Sequence, residues 1–362
     1  FNHYILDPNW VSVRIILIKQ KVQLMKKFGF SIILLCLPFF INAQHNWSRP
    51  YFEVGGIIGV SNYSGELVNS IMDIKHMHLA GGIFGRYNIN RFVSFRLQGV
   101  YGAISGDDRD SKQFSNNIRN LHFRSHILEV GAFAEFNLMG YNPTGHDRMF
   151  SPYVFLGFSV FNYKPKARHF DPQRDGEWVP LQPLHTEGQG SGAFPNRDPY
   201  GLTQLSIPMG LGFKFAVHSN FNIGFEIGFR KTFTDYLDDV SQTYPYIAET
   251  VNGSATLVST YDSDPYSAGL YGDKSEQELM SDRTYEYLAT QNGEQFDLAA
   301  FPDEDAYNNA VLNRGSQTLR GDKNLDWYLI TGVTLSYNFI DEGLAKSRQR
   351  RKRKAGCRSA QF

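Results

Sequence analysis

Several groups of residues in this 362-residue chain have types and spacings that could do chemistry. His76 and His78 lie two apart, so on a strand end both rings would face one side and could ligate a metal ion. No third ligand is spaced to join them, and a solvated loop accounts for the pair. Asp235, Asp238 and Asp239, or Asp262 and Asp264, offer the oxygen ligands that Ca²⁺ takes, without the glycine-turn spacing of a Ca²⁺ loop. Ser125 and His126 suggest a nucleophile and its base, yet neighbours in a strand point to opposite faces and cannot share a proton. Arg320-Gly321-Asp322 spells an adhesion tripeptide, which chance in a charged loop explains better. None of these calls for a metal or cofactor, and the chain reads as non-enzymatic.

A different set of ionisable residues is organised. Glu53, Glu129, Glu135 and Glu226, with Arg86, Arg96, Lys214 and Arg230, all occupy the polar face of alternating segments, and their signs balance. Buried charges need partners, so the spacing predicts an internal ion-pair network.

The elements that must position these charges are strands. In Asp326–Phe339, Trp327, Leu329, Val333, Leu335, Tyr337 and Phe339 alternate with Tyr328, Gly332, Thr334, Ser336 and Asn338, a period of two. Seven further segments behave alike: Tyr51–Tyr63, His78–Ile89, Phe92–Ile104, Ser125–Asn137, Ser151–Tyr163, Leu205–Val217 and Phe221–Phe233. Ser151–Tyr163 is apolar on both sides, so alternation does not assign its faces. Each segment is long enough to cross a bilayer at the usual tilt of about 45°. The connections run long, short, long, medium, long, short, long, which predicts an all-β fold: an eight-stranded antiparallel transmembrane β-barrel with long external loops and both termini periplasmic. A barrel of this size is filled by its own side chains.

Composition agrees. Lys plus Arg and Asp plus Glu are equal at 36 each, which gives no signal for nucleic acid, while 33 glycines and 15% aromatic residues suit barrel strands. Met25-Lys26-Lys27, the apolar run Phe28–Ile41 and Asn42-Ala43-Gln44 read as a signal peptide cleaved after Ala43. Cys36 falls inside that segment and Cys357 is alone in the mature chain, so no intrachain disulfide or thiolate metal site is expected. The domain reading is therefore an upstream or mis-set segment 1–24, a signal peptide 25–43, a barrel domain 44–341 and a basic tail 342–362 containing Lys346–Lys354. That tail suits anionic lipid or a partner, a solvated charge run, or a frame error at the end of the gene.

Three stretches then carry a resemblance: TDYLDDVS (Thr234–Ser241), GEWVPLQPLHTEGQG (Gly176–Gly190) and RGDKNLDWYLITGVTLSYNF (Arg320–Phe339). With these motifs the chain resembles the PorG-type outer-membrane proteins of the type IX secretion system, part of a wider group of uncharacterised barrels. The resemblance spans roughly Trp47–Asp341. It implies a structural component of that protein secretion machinery, held in outer-membrane lipid and contacting the periplasmic ring subunits, a lipoprotein and its partner. It also marks Trp178, Gln182, Pro183, Thr186, Glu187, Gly188, Thr234, Asp235, Tyr236, Asp238, Asp239, Asp326 and Trp327 as family loop positions. The alternative is a general outer-membrane barrel whose loops bind ligands or adhere.

Overall fold

A computed structural model describes residues 50–68, 73–143, 148–169, 174, 176–192, 194–251, 254–259, 276–291, 319–321 and 324–339. The expected signal peptide, the basic tail, Asp262 and Asp264 lie outside the described residues.

The strands in chain order are β1 (Tyr51–Ser64), β2 (His78–Asn88), β3 (Val93–Asp107), β4 (His122–Asn137), β5 (Phe150–Arg168), β6 (Trp178–Pro180), β7 (Thr203–His218), β8 (Phe221–Thr232), β9 (Tyr246–Val251), β10 (Ser254–Ser259) and β11 (Trp327–Phe339). β1, β2, β3, β4, β5, β7, β8 and β11 pair antiparallel in that order, and β11 returns to β1, so the sheet closes. This is a closed eight-stranded antiparallel barrel. β6 is appended to the far end of β5, and β9 pairs only with β10. Closure leaves no barrel strand with an unpaired edge, the condition for backbone to stand in hydrocarbon.

Alternation sets the two faces. Outward residues such as Ile58 (75% exposed), Leu79 (83%), Ile83 (75%) and Phe158 (74%) form an apolar belt. A water-soluble fold does not present so much contiguous apolar surface. At the end with the short turns, neighbouring rings touch: Phe52 with Phe339, Phe92 with Phe136, Phe150 with Phe213, and Phe221 with Tyr337. Such an aromatic girdle marks a membrane interface in barrels of this kind. No helix among the described residues is long and apolar enough to cross a membrane.

β5 shows why its sequence left the faces open. Its inward side carries Tyr153, Phe155, Phe161 and Tyr163, all buried, while Val154, Leu156, Phe158 and Val160 face out. The interior accepts aromatic rings because facing positions are glycine. A Cβ on Gly212 would lie 2.6 Å from the Tyr153 ring, and one on Gly228 would lie 2.9 Å from Phe155 Cζ. One expected lipid-facing residue is covered instead. Leu329 is only 2% exposed, paired with Asn62, whose amide donates to Asp73 O at 3.1 Å, so the segment after β1 folds over the outer face there.

Candidate functional site

Among the described residues two polar assemblies stand out, one within the barrel and one across the end where the long connections lie. The first begins with register. Glu53 on β1 stands opposite Arg86 on β2, and their side chains form an ion pair inside the barrel. Arg86 Nε also approaches Glu135 Oε2 at 2.9 Å, and Glu135 Oε1 lies 3.1 Å from Arg96 Nε. Arg96 then forks onto Glu226 at 2.5 and 3.2 Å, while Lys214 Nζ reaches Glu135 at 3.4 Å. Six of the charged residues picked out in the sequence thus form one chain across six strands. The remaining two pair with each other, Arg230 Nε to Glu129 Oε2 at 3.2 Å.

Neutral donors complete the shell. Tyr153 donates to Glu226 at 2.9 Å, Tyr328 to Glu129 at 2.5 Å and Ser336 to Glu53 at 2.5 Å. The Arg96 guanidinium carbon lies 4.8 Å from the Phe133 ring centroid and 5.1 Å from that of Phe155, so cations are held by rings as well as carboxylates. All eight charged residues are almost fully buried. Salt bridges this deep need many hydrogen bonds to offset desolvation; Glu53, Glu129 and Glu226 each accept several, while Glu135 is held by the charges of Arg86, Arg96 and Lys214 around it.

Below this chain the short-turn end is stoppered by residues the sequence reading missed. Tyr141, from the turn after β4, is 1% exposed and donates to Asn222 at 2.6 Å. Asn222 in turn donates to Asn338 at 2.7 Å, and Asn338 donates to Ser219 O at 3.0 Å. Asparagine at inward strand ends was the available signal.

The second assembly gathers the family loop positions. Glu187 accepts backbone N–H bonds from Ser241 at 3.0 Å and Gln242 at 3.1 Å. Thr186 donates to Asp239, and Tyr200 donates to the other Asp239 oxygen at 2.6 Å. Arg320, 2% exposed, binds both carboxylates, at 3.3 Å from Glu187 and 3.3 Å from Asp239, and also donates to Asp239 O. Buried there, it cannot act in an adhesion tripeptide. Tyr236 stacks on Tyr200 with centroids 4.6 Å apart, and Gln182 donates to Tyr200 O at 3.2 Å. Asp235 accepts from Ser241 at 2.7 Å, and Thr234 O accepts from Asp326 N at 3.1 Å. Gly188 adopts φ +74°, a left-handed backbone that admits the turn against Phe194. Pro183 lies in a 3₁₀ turn, Gln182–Leu184, and stays exposed. Trp178 and Trp327 stand apart from this knot, against Arg168 and Lys231.

The long connections converge there. Arg119, from a short helix Phe114–Arg119, clamps Asp108 at 2.7 and 2.8 Å and donates to Arg320 O at 2.6 Å. Ser281 donates to Thr186 O at 2.5 Å, tying in the helix Glu276–Ser281.

Beside the knot lie three carboxylates, Glu66, Asp238 and Asp326, with oxygens within 4.8 Å of one another. The Tyr63 hydroxyl sits among them, 2.6 Å from Asp238, 2.9 Å from Asp326 and 3.4 Å from Glu66. One hydroxyl hydrogen serves only one acceptor, so the carboxyls must retain protons or share a hard cation. Burial pushes Asp238 up to about 7, and burial with the neighbouring Asp238 carboxylate pushes Asp326 well above its ordinary value. Glu66 rises to about 11, by burial and then by Asp238 and Asp326. This trio differs from the aspartate groupings read from sequence: Asp235 and Asp239 turn to Ser241 and Arg320. His76 and His78 converge on one atom, Ser105 Oγ, at 3.3 and 2.8 Å, and Asp110 closes on His76 at 3.2 Å. Ser125 is buried, accepting from Lys164 N at 2.9 Å, and His126 is exposed against Tyr101, so the two do not meet.

A closed antiparallel barrel with an apolar exterior and a charged, filled interior has the fold of an outer-membrane β-barrel. The chain belongs to the DUF6089 family, described as a domain of unknown function, which matches residues 26–175 and 195–248. No curated protein matches the sequence. Among solved structures it is similar to OprG of Pseudomonas aeruginosa, at 8% identity over 81% of this chain and 97% of that one, with a TM-score of 0.33. It is also similar to Neisserial surface protein A, at 10% identity over 80% and 98%, with a TM-score of 0.30. The N-terminal barrel of P. aeruginosa OprF gives 8% identity over 81% and 100%, with a TM-score of 0.30.

Proposed function

We propose that this chain is a non-enzymatic structural barrel of the outer membrane that serves the type IX secretion machinery, with its short-turn end facing the periplasmic ring subunits. The observation that carries the reading is the sealing of both ends. The loop motifs behind the resemblance are spent on one another, through Glu187, Asp239 and Arg320. The barrel interior is spent on its own ion pairs. What remains open to a partner is the short-turn face, where β1 begins, β11 ends and the turns near Asn90, Asn142 and Ser219 lie.

In this orientation the start of β1 and the end of β11 are periplasmic and the knot is external. Cysteines at Asn142 and Ser219 are expected to crosslink to the periplasmic ring in cells. An impermeant reagent is expected to label a cysteine at the exposed Asn196 from outside. Asp238 and Gln189, at 1% and 2% exposure, are too buried to serve as labelling sites. Deletion of the gene is expected to block export of secreted cargo. Normal export with altered surface binding would instead favour a barrel whose loops take external ligands.

A further inference from the structure

β5 is the longest strand, 19 residues, and runs past the apolar belt. Beyond that belt its inward residues Tyr163 and Ala167 stay buried, so Lys164, Lys166 and Arg168 all face outward. The neighbouring β4 presents Arg124 and His126 on the same side. Register sets Arg124 opposite Lys166 and His126 opposite Lys164. Like charges directly opposite across a ladder are destabilising, so the pairing of Arg124 with Lys166 costs the fold stability. No carboxylate among the described residues pairs with Arg124, Lys164, Lys166 or Arg168. The nearby acids are taken: Asp107 by Arg109, Asp110 by Lys75 and His76, Glu177 by Arg174, Glu286 by Arg283. The Arg124 Nε is buried with no hydrogen-bond partner.

The position of this ladder names its ligand. Along the same two strands, beyond the half-buried Asn162, the outward residues Leu128, Val130, Val160 and Phe158 are all exposed and apolar. His126 and Lys164 lie one alternation step, about 7 Å, past Leu128 and Asn162. Trp178, opposite Arg168 on β6 and 5.6 Å from its guanidinium, is the amphipathic ring expected at a membrane surface. Cations at this height meet headgroups, while the surface beneath meets acyl chains.

We propose that the outward face of β4 and β5 is a binding site for the phosphate group of a membrane lipid. Arg124, Lys164 and Lys166 hold the phosphate, and the acyl chains lie along Leu128, Val130, Phe158 and Val160. Charge-assisted contacts from Arg and Lys are the usual way a protein holds phosphate. The proposal rests on the reading of the barrel as membrane-spanning.

The test uses the full chain. Flotation with phosphatidylcholine vesicles after alkaline extraction first reports insertion, and failure to insert would overturn the spanning reading and the site together. Native mass spectrometry of the chain in neutral detergent then compares retention of phosphatidic acid and phosphatidylcholine with identical acyl chains. Phosphatidic acid is expected to be retained at least about tenfold better, and a variant with Arg124→Gln, Lys164→Gln and Lys166→Gln is expected to lose that preference. Lys164→Arg with Lys166→Arg is expected to keep it, and Lys112→Gln, on a different loop, is expected to leave it unchanged. Heat-modifiable gel mobility checks that each variant folds; removing like charges from a ladder is expected to leave folding intact. Inserted protein that retains both lipids equally, or a triple variant that keeps the preference, would overturn the site. Displacement of phosphatidic acid by millimolar inorganic phosphate would show a bare anion site in place of a lipid site, and would overturn it too.

Discussion

At the scale of single residues, the two polar assemblies differ in how they respond to pH and to substitution. Asp238 lies in a loop, and burial raises its carboxyl from 3.8 to about 7. A raised carboxyl pKa means the folded loop holds a proton that the opened loop releases. The stabilisation is therefore complete below pH 4 and is lost as pH climbs towards 7. Asp239, raised by burial to about 6 and opposed by Arg320, adds to the same trend. Amide exchange at Ser241 and Gln242, corrected for intrinsic rates, is expected to show weakening protection from pH 4 to pH 7. In Asp238→Asn that slope should be shallower, and an unchanged slope would assign it elsewhere. Arg320→Met leaves Glu187 and Asp239 as buried carboxylates with no cation, a loss of about 3 to 5 kcal/mol for a broken buried pair. Protection of the same amides is expected to collapse while the barrel still runs as a folded band.

At the scale of elements, the period-two pattern was readable because one face of every strand meets an apolar surrounding and the other a polar interior. Seven of the eight barrel strands lie within three residues of their sequence-read bounds, Phe221–Phe233 against β8 differing by a single residue, while β5 runs five residues past the expected Tyr163. The interior charges were readable for the same reason: Glu53, Arg86 and their fellows break an otherwise small and neutral face. What could not be read is which charge meets which, since Arg96 meets Glu226 from 130 positions away and Glu135 meets Lys214 from 79. Nor could alternation reveal the knot, whose contacts join residues such as Glu187 and Arg320, 133 positions apart. Nor could it reveal Tyr141, because a ring that folds back under a barrel has no periodic signature. Within the barrel, Glu135 is the shared node of Arg86, Arg96 and Lys214. Glu135→Gln is expected to lower unfolding stability in urea by about 3 to 5 kcal/mol, and pairing it with Arg96→Gln should recover part of that loss through coupling. Strictly additive losses would show that the two residues do not share a network.

At the scale of the whole molecule, the barrel is a solid pin. Its lumen is crossed by Glu53, Arg86, Glu135, Arg96 and Glu226, stoppered at one end by Tyr141 and roofed at the other by the loop knot. An eight-stranded barrel has room for side chains and little else, and here those side chains are large. Such a body is expected not to conduct ions. The measurement that tests this most directly is single-channel recording of the full chain in planar bilayers, with insertion verified by flotation. The account predicts no stable conductance across neutral pH, whereas steady, reproducible open steps from the folded protein would contradict it.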